Sequence, residues 1–190
     1  MILVINCGSN KTRFITQIVD DQIDVDEIGI FDLKEISLDK YSGIIISGAP
    51  ILITEQNIVP YLEVLNGVLA TKKPILGICF GHQLIGIKYG SIASKMRTIN
   101  DMEEISVLDD SPIFNRLPNE ISMMEDHCET ISIPEGFKLL ASSDSCVNEA
   151  MEKKDVSIYG VQFHPEVSGN HGAIIIQNFI SICLENEPKA

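Results

Sequence analysis

The apolar positions in the first half of the chain follow two alternating rhythms. Short continuous runs read as buried strands: "ILVIN" (2–6), "IDVDEIGI" (23–30), "GIIIS" (43–47) and "PILGI" (74–78). Between them lie stretches with helical spacing. "KTRFITQIVDD" (11–21) puts Phe14, Ile15 and Ile18 on one face, and "NIVPYLEVLNGVLA" (57–70) carries Pro60 near its first turn. "QLIGIKYG" (83–90) predicts an amphipathic helix closed by a glycine. Strand–helix alternation with continuous apolar strands predicts a parallel sheet covered on both faces. From residue 103 the strands come closer together: 103–108, 120–125, 129–133, 137–144 and 157–163. That half reads as partly antiparallel, and a last helix, "GAIIIQNFISICLE" (172–185), closes the chain. No repeat, low-complexity run or linker interrupts it. The expectation is one α/β domain over residues 1–190, with a central, mostly parallel mixed sheet flanked by helices.

One junction in this pattern carries chemistry. In "PILGICFGHQ" (74–83) the strand stops at a cysteine and a helix follows with almost no loop. Gly77-x-Cys79-x-Gly81 has the spacing of the Gly-x-Ser-x-Gly nucleophile elbow, with sulfur in place of oxygen. The glycines would let strand and helix approach closely, and the helix start would offer free N–H groups and a positive partial charge to the sulfur. The competing reading is a buried cysteine that fills space beside a tight turn.

Composition narrows the options. The chain is 45% hydrophobic and 22% charged, as expected of a globular protein. No apolar stretch is long enough to cross a bilayer, and the N-terminus enters "ILVIN" with no basic leader, which predicts a cytoplasmic protein. A net charge of −13 argues against nucleic acid or an anionic membrane as partner. The five cysteines, at 7, 79, 128, 146 and 183, are scattered without a C-x-x-C pair, so neither a disulfide framework nor a structural zinc site is expected. Cys7, Cys128, Cys146 and Cys183 read as packing residues or bystanders. No metal-ligand spacing and no phosphate-binding loop is present, so no cofactor is expected in this chain.

A cysteine nucleophile needs a base, and the base needs an orienting group. Of four histidines, His82 reads as pointing outward or capping its helix, His171 as a cap or surface residue, and His127 as part of a polar cluster ending a strand. His164 differs. In "GVQFHPEV" Pro165 bars helix continuation, and an extended backbone there would put His164 and Glu166 on one face. A carboxylate could then hold one imidazole nitrogen and leave the other for a thiol. An incidental His and Glu at a solvated strand end is the alternative for this window alone.

"GICFGHQ" and "YGVQFHPEV" resemble the two signatures of class I glutamine amidotransferases. Within that class the chain is most similar to the GMP synthase family, in the arrangement where the amidotransferase is a separate subunit. "ILVINCGSNKTRFI", "IIISGAP" and "IPEGFKLLASSDSCVNEAM" carry the resemblance nearly end to end. It implies Cys79 as nucleophile, His164 as base and acid, and Glu166 as the residue that orients the imidazole. It also implies an oxyanion hole from the N–H groups of Ala49 and Phe80, and a glutamine pocket that includes Gly48, Gln83, Asp126, His127 and Cys128. The implied reaction is hydrolysis of L-glutamine, with ammonia delivered to a separate ATP pyrophosphatase subunit. That subunit, holding ATP and Mg, would convert XMP to GMP. Two further readings are an amidotransferase component of anthranilate or aminodeoxychorismate synthase, and a catalytically silent regulatory homologue.

Several positions depart from the family pattern. Ala49 stands where a second glycine is usual, and an alanine there is strained only if the loop needs a positive φ. "ILITE" (51–55) replaces small and polar residues. Asp126, Cys128 and Glu129 occupy positions usually Ser, Gly and Asp.

Overall fold

A computed structural model of the chain describes residues 1–186; the last four positions of the expected 1–190 domain lie outside the described residues. The first half follows the expected alternation: β1 (Ile2–Asn6), α1 (Thr12–Asp20), β2 (Val25–Gly29), β3 (Gly43–Ile46), α2 (Val59–Ala70), β4 (Ile75–Ile78) and α3 (Phe80–Lys88). The second half contributes β5 (Ala93–Val107), β6 (Glu120–Ile131), β7 (Phe137–Ser142), β8 (Ala150–Lys153), β9 (Ile158–Val161) and α4 (Gly169–Glu185). Among the described residues the strands share one sheet in the order β2-β1-β3-β4-β9-β8-β7-β5-β6. The first five in that order pair parallel, and β9 to β6 pair antiparallel.

The parity of each parallel strand sorts its side chains between two cores, because successive residues point to opposite faces. Ile2, Val4, Ile45, Leu76 and Ile78 pack with Ile15 and Val19 of α1 and with Ile175, Ile176 and Phe179 of α4. Leu3, Ile5, Ile44, Ile46 and Ile75 pack with Leu65 and Val68 of α2 and with Phe80, Leu84 and Ile85 of α3. The result is the three-layer arrangement that continuous apolar strands require.

The antiparallel half departs from the pattern reading. The sequence predicts two strands over 120–125 and 129–133, but β6 is continuous through Ile131. Its inward positions, Ile121, Met123, Glu125, His127, Glu129 and Ile131, are all buried. Three of those six are ionisable, so a polarity pattern sees a break where the backbone has none. β5 likewise begins ten residues before the expected 103, and β8 has no counterpart in the apolar pattern. The hydrogen-bonded ladder to β6 sustains the exposed, polar first part of β5.

Candidate active site

The sheet brings the ends of β1, β3, β4 and β9 to one edge. At β4 the turn into α3 consists of Cys79 alone, with φ 51° and ψ −104°. That conformation is rare for a residue with a side chain and costs roughly 1–3 kcal/mol. The Cys79 N–H donates to Val161 O of β9 (2.8 Å), and Cys79 O accepts from Gln83 N (3.0 Å), the first bond of the helix. α3 therefore starts at Phe80, three residues earlier than its apolar pattern suggests, and the Phe80 N–H has no partner within the helix. The flanking glycines are needed for approach. A Cβ on Gly77 would lie 2.5 Å from the Gly81 carbonyl carbon, and one on Gly81 would lie 2.3 Å from Ile46 O.

His164 follows β9 and comes to Cys79. Its Nδ1–H donates to Glu166 Oε1 at 2.8 Å, and both side chains are buried. Burial works to lower the imidazole pKa, but hydrogen bonds to Cys79 and Glu166, reinforced by their charges, raise it to about 10. His164 is thus biased toward its imidazolium form between the Cys79 sulfur and the Glu166 carboxylate. The backbone reason differs from the expected one: residues 165–167 form a 3-10 turn rather than an extended run. His164 itself keeps the non-helical conformation that a following proline imposes (φ −103°, ψ 86°). The turn is bolted in place. Ser168 Oγ donates to His164 O (2.6 Å) and accepts from Met124 N of β6 (2.8 Å). α4 also approaches so closely that a Cβ on Gly172 would sit 1.9 Å from Pro165 O.

Two cavities meet at Cys79. The smaller, about 170 Å³, lies between Ala49–Leu52 on one side and Asp126–Glu129 of β6 on the other, with Gln83 and Thr98 at its walls. The larger, about 350 Å³, lies between the Gly8–Lys11 loop, Ala49–Pro50 and Asp126, with His164 in its wall. Ala49 has no positive φ, so alanine at that position is unstrained. Gly48 sits between the two reactive side chains: a Cβ there would be 3.2 Å from His164 Cε1 and 3.6 Å from Cys79 Cβ.

The other expected pocket residues divide. Asp126 and Cys128 line the smaller cavity, as does His127. Asp126 pairs with Lys11 and accepts from Asn100 Nδ2 at 3.0 Å. His127 is in the middle of β6 rather than at a strand end, with Nδ1 2.9 Å from Glu129 O and Nε2 3.0 Å from Glu125 Oε2. Burial lowers its pKa. Gln83 is 4% exposed, and its Nε2 donates to Glu129 O and to Gln162 Oε1, both at 3.1 Å. His82, expected outside or as a local cap, is instead fully buried against Gly160, where a Cβ would lie 2.5 Å from its ring Nδ1. Burial pushes its pKa down to about 3. His171 is half-buried at the start of α4. Cys7, Cys146 and Cys183 are buried, as packing residues should be, and burial pushes the Cys7 and Cys146 thiols up to about 12.

Sequence reasoning gives no role to four further residues. Gln162, fully buried, directs Nε2 at Cys79 Sγ (3.7 Å) while its oxygen is taken by Gln83. Its signal is present in "VQFHPE", one position past the strand. Glu129 accepts from the backbone N–H of Ile53 (2.6 Å) and Thr54 (3.1 Å) and from the Thr54 hydroxyl, clasping the loop over the smaller cavity. Behind β6, Glu125 and Glu149 are both fully buried and face each other. Burial raises them to about 7 and about 9, and the charge of Glu125 adds to the shift of Glu149.

The geometry has counterparts in known proteins. The family model for class I glutamine amidotransferases matches residues 3–183. A protein of Pyrococcus furiosus named as a glutamine-hydrolyzing GMP synthase subunit is 42% identical over 159 residues, covering 80% of this chain and 81% of its own. The protein of the same name from Methanocaldococcus jannaschii is 38% identical over 155 residues, covering 80% and 79%. A crystal structure of a candidate GMP synthase subunit from Thermoplasma acidophilum superposes with a TM-score of 0.88 at 32% identity, over 97% of this chain and 94% of that one. A glutamine amidotransferase from Thermotoga maritima shares the fold, with a TM-score of 0.75 at 17% identity over 99% of this chain and 85% of that one. With a family model spanning nearly all of the described residues and an elbow cysteine facing a paired histidine and glutamate, the chain belongs to the class I glutamine amidotransferases.

Proposed function

We propose that this chain is the glutaminase subunit of a two-chain, cytoplasmic GMP synthase. The observation that carries the glutaminase reading is the line Cys79–His164–Glu166, which brings a carboxylate-paired imidazole to the sulfur of a strand-to-helix elbow. The names of the relatives at 42% and 38% identity support the assignment to GMP synthase. No finding favours an anthranilate or aminodeoxychorismate synthase component, and the intact trio speaks against a silent homologue.

In this reading the Cys79 thiolate attacks the side-chain amide of L-glutamine. The N–H groups of Phe80 and Ala49 receive the negative charge that develops on the amide oxygen. The C–N bond breaks as His164 gives its proton to the departing nitrogen, leaving a thioester, neutral His164 and ammonia. Water then attacks the thioester while His164 takes its proton, and C–S cleavage restores the thiolate–imidazolium pair and frees glutamate. Glu166 keeps Nδ1 protonated so that Nε2 faces the chemistry. Gly48, Gln83, Asp126, His127 and Cys128 are the proposed contacts to glutamine. For Gln83 the contact would run through its side-chain oxygen, because its side-chain N–H groups and its main-chain N–H are already engaged. This chain is proposed to need no cofactor; ATP and Mg belong to the ATP pyrophosphatase subunit that would turn XMP into GMP.

The test is to assay GMP formation from XMP and ATP with this chain and a candidate synthetase subunit. Glutamine should support synthesis with the wild-type chain and fail with Cys79→Ala, whereas ammonium at alkaline pH should support both. Glutamine-dependent synthesis by Cys79→Ala would remove the assigned nucleophile. Absence of GMP from either nitrogen source, with the two chains associated, would refute XMP amination.

A further inference from the structure

Two buried side-chain amides form a line that ends on the nucleophile, and the backbone of β6 sets their orientation. The carbonyl oxygen of Glu129 can only accept a hydrogen bond, so the end of Gln83 that meets it, at 3.1 Å, is the amino end. The same Gln83 Nε2 lies 3.1 Å from the Gln162 side chain, which must therefore present its oxygen. Nε2 of Gln162 is then left facing Cys79 Sγ, at 3.7 Å. Both amides are buried, so bulk water does not compete for these bonds. The main chain fixes the two ends of the last contact. The Gln162 N–H donates to Glu149 O (2.8 Å), and the carbonyl of the preceding residue, Val161, accepts the Cys79 N–H (2.8 Å).

We infer that Gln162 is a further catalytic residue, whose Nε2–H receives the charge returning to the Cys79 sulfur as the thioester breaks, and that Gln83 is the positioning residue that keeps this amide turned the right way. The inference rests on the glutaminase reading above. The two half-reactions use the sulfur in opposite senses. A thiolate accepts a hydrogen bond strongly, whereas a thioester sulfur, uncharged, accepts one weakly. When Cys79 attacks glutamine, negative charge passes from sulfur to the amide oxygen, so a donor at sulfur gives that step no help. Deacylation runs the other way. The water oxygen bonds to the acyl carbon, one of its protons passes to His164, and the other stays on the released γ-carboxyl group. The electron pair of the C–S bond returns to sulfur, where the Gln162 N–H already points. An amide turned over would put its oxygen against that charge. The chain of bonds from the Glu129 carbonyl through Gln83 opposes the turn.

The two half-reactions separate in one measurement. At saturating glutamine the ratio of acylated to free chain equals the ratio of the acylation and deacylation rate constants, and intact mass after an acid quench reads it. Gln162→Met removes the donor at similar volume and should raise this ratio about tenfold, the loss expected of a hydrogen bond to a charged group. Over the same change kcat/KM, which reports acylation alone, should stay within about threefold of wild type. Gln83→Met leaves Gln162 in place but frees its amide to turn. The ratio should rise there too, by less, with kcat/KM lowered because Gln83 is also a proposed contact to glutamine. An unchanged ratio in folded Gln162→Met would overturn the inference, and a fall in kcat/KM alone would make Gln162 a packing residue. If Gln162→Met does not fold, the ratio in Gln83→Met decides in the same way. A rise in Gln162→Met without one in Gln83→Met would remove Gln83 from the assignment. Wild type that releases no ammonia from glutamine, alone or with the candidate synthetase subunit, is a different result: it would refute the glutaminase reading on which this one stands.

Discussion

Replacing Cys79 by glycine and by alanine asks whether the elbow stores strain. Both variants lose the thiol and its pairing with His164, so that loss cancels when the two are compared. What remains is the backbone. At φ 51° and ψ −104° an alanine keeps the steric conflict of a Cβ in the right half of conformational space, worth roughly 1–3 kcal/mol. Glycine adopts that region freely, as it does at the first central position of a type II′ turn. Against this, glycine loses more freedom on folding than alanine, about 0.4–1 kcal/mol. The net expectation is that Cys79→Gly is the more stable variant by about 1 kcal/mol, or about 2–4 °C in melting temperature for a chain of this size. Calorimetry and urea midpoints on the two proteins provide the measurement. The conformation is held from outside, by the Cys79 N–H to Val161 O bond and by the closeness of Gly77 to Gly81, so glycine should not relax away from it. Cys79→Gly melting below Cys79→Ala, as an ordinary helix-start glycine would, would refute the reasoning.

Two further outcomes follow from the buried ionisable groups. The pKa of Glu149 is raised in the folded chain to about 9 and that of Glu125 to about 7, above their ordinary value of 4.5. Their contribution to stability is therefore full below about pH 4.5 and declines as pH rises through 7 and 9. Glu149→Gln cannot ionise, so its melting temperature should fall less steeply between pH 5 and pH 9 than that of the wild-type chain; parallel curves would count against a buried neutral carboxyl. At the catalytic trio, Glu166→Gln should leave more activity than His164→Ala, because an amide oxygen can still accept from Nδ1–H. Losing the carboxylate charge lowers the His164 pKa from about 10, so the alkaline limb of kcat/KM should move to lower pH. An alkaline limb that stays in place would mean that Glu166 does not hold the imidazolium.

Much of the architecture and the chemistry could be read from local pattern. Continuous apolar runs and helical spacing determine the parallel half of the sheet, because β1, β3 and β4 are buried on both faces and α1 and α2 on one. Gly77-x-Cys79-x-Gly81 determines the elbow, since only glycines allow the two backbones to pass at the observed distances. His164 and Glu166 are legible as partners from their spacing, although the 3-10 turn that joins them is not the extended run their spacing suggests. The partly antiparallel character of the second half was also legible, but tertiary structure alone decided its buried polar positions. There Glu125, His127 and Glu129 take inward positions on a strand that a hydrophobic pattern breaks in two. Their burial depends on partners far away in sequence: Glu149 facing Glu125, and the 53–54 backbone bound by Glu129. The same holds for His82, whose interior position is set by the absence of a side chain at Gly160. A residue's polarity is a local property, but whether a polar group can be buried depends on what the rest of the fold brings to meet it.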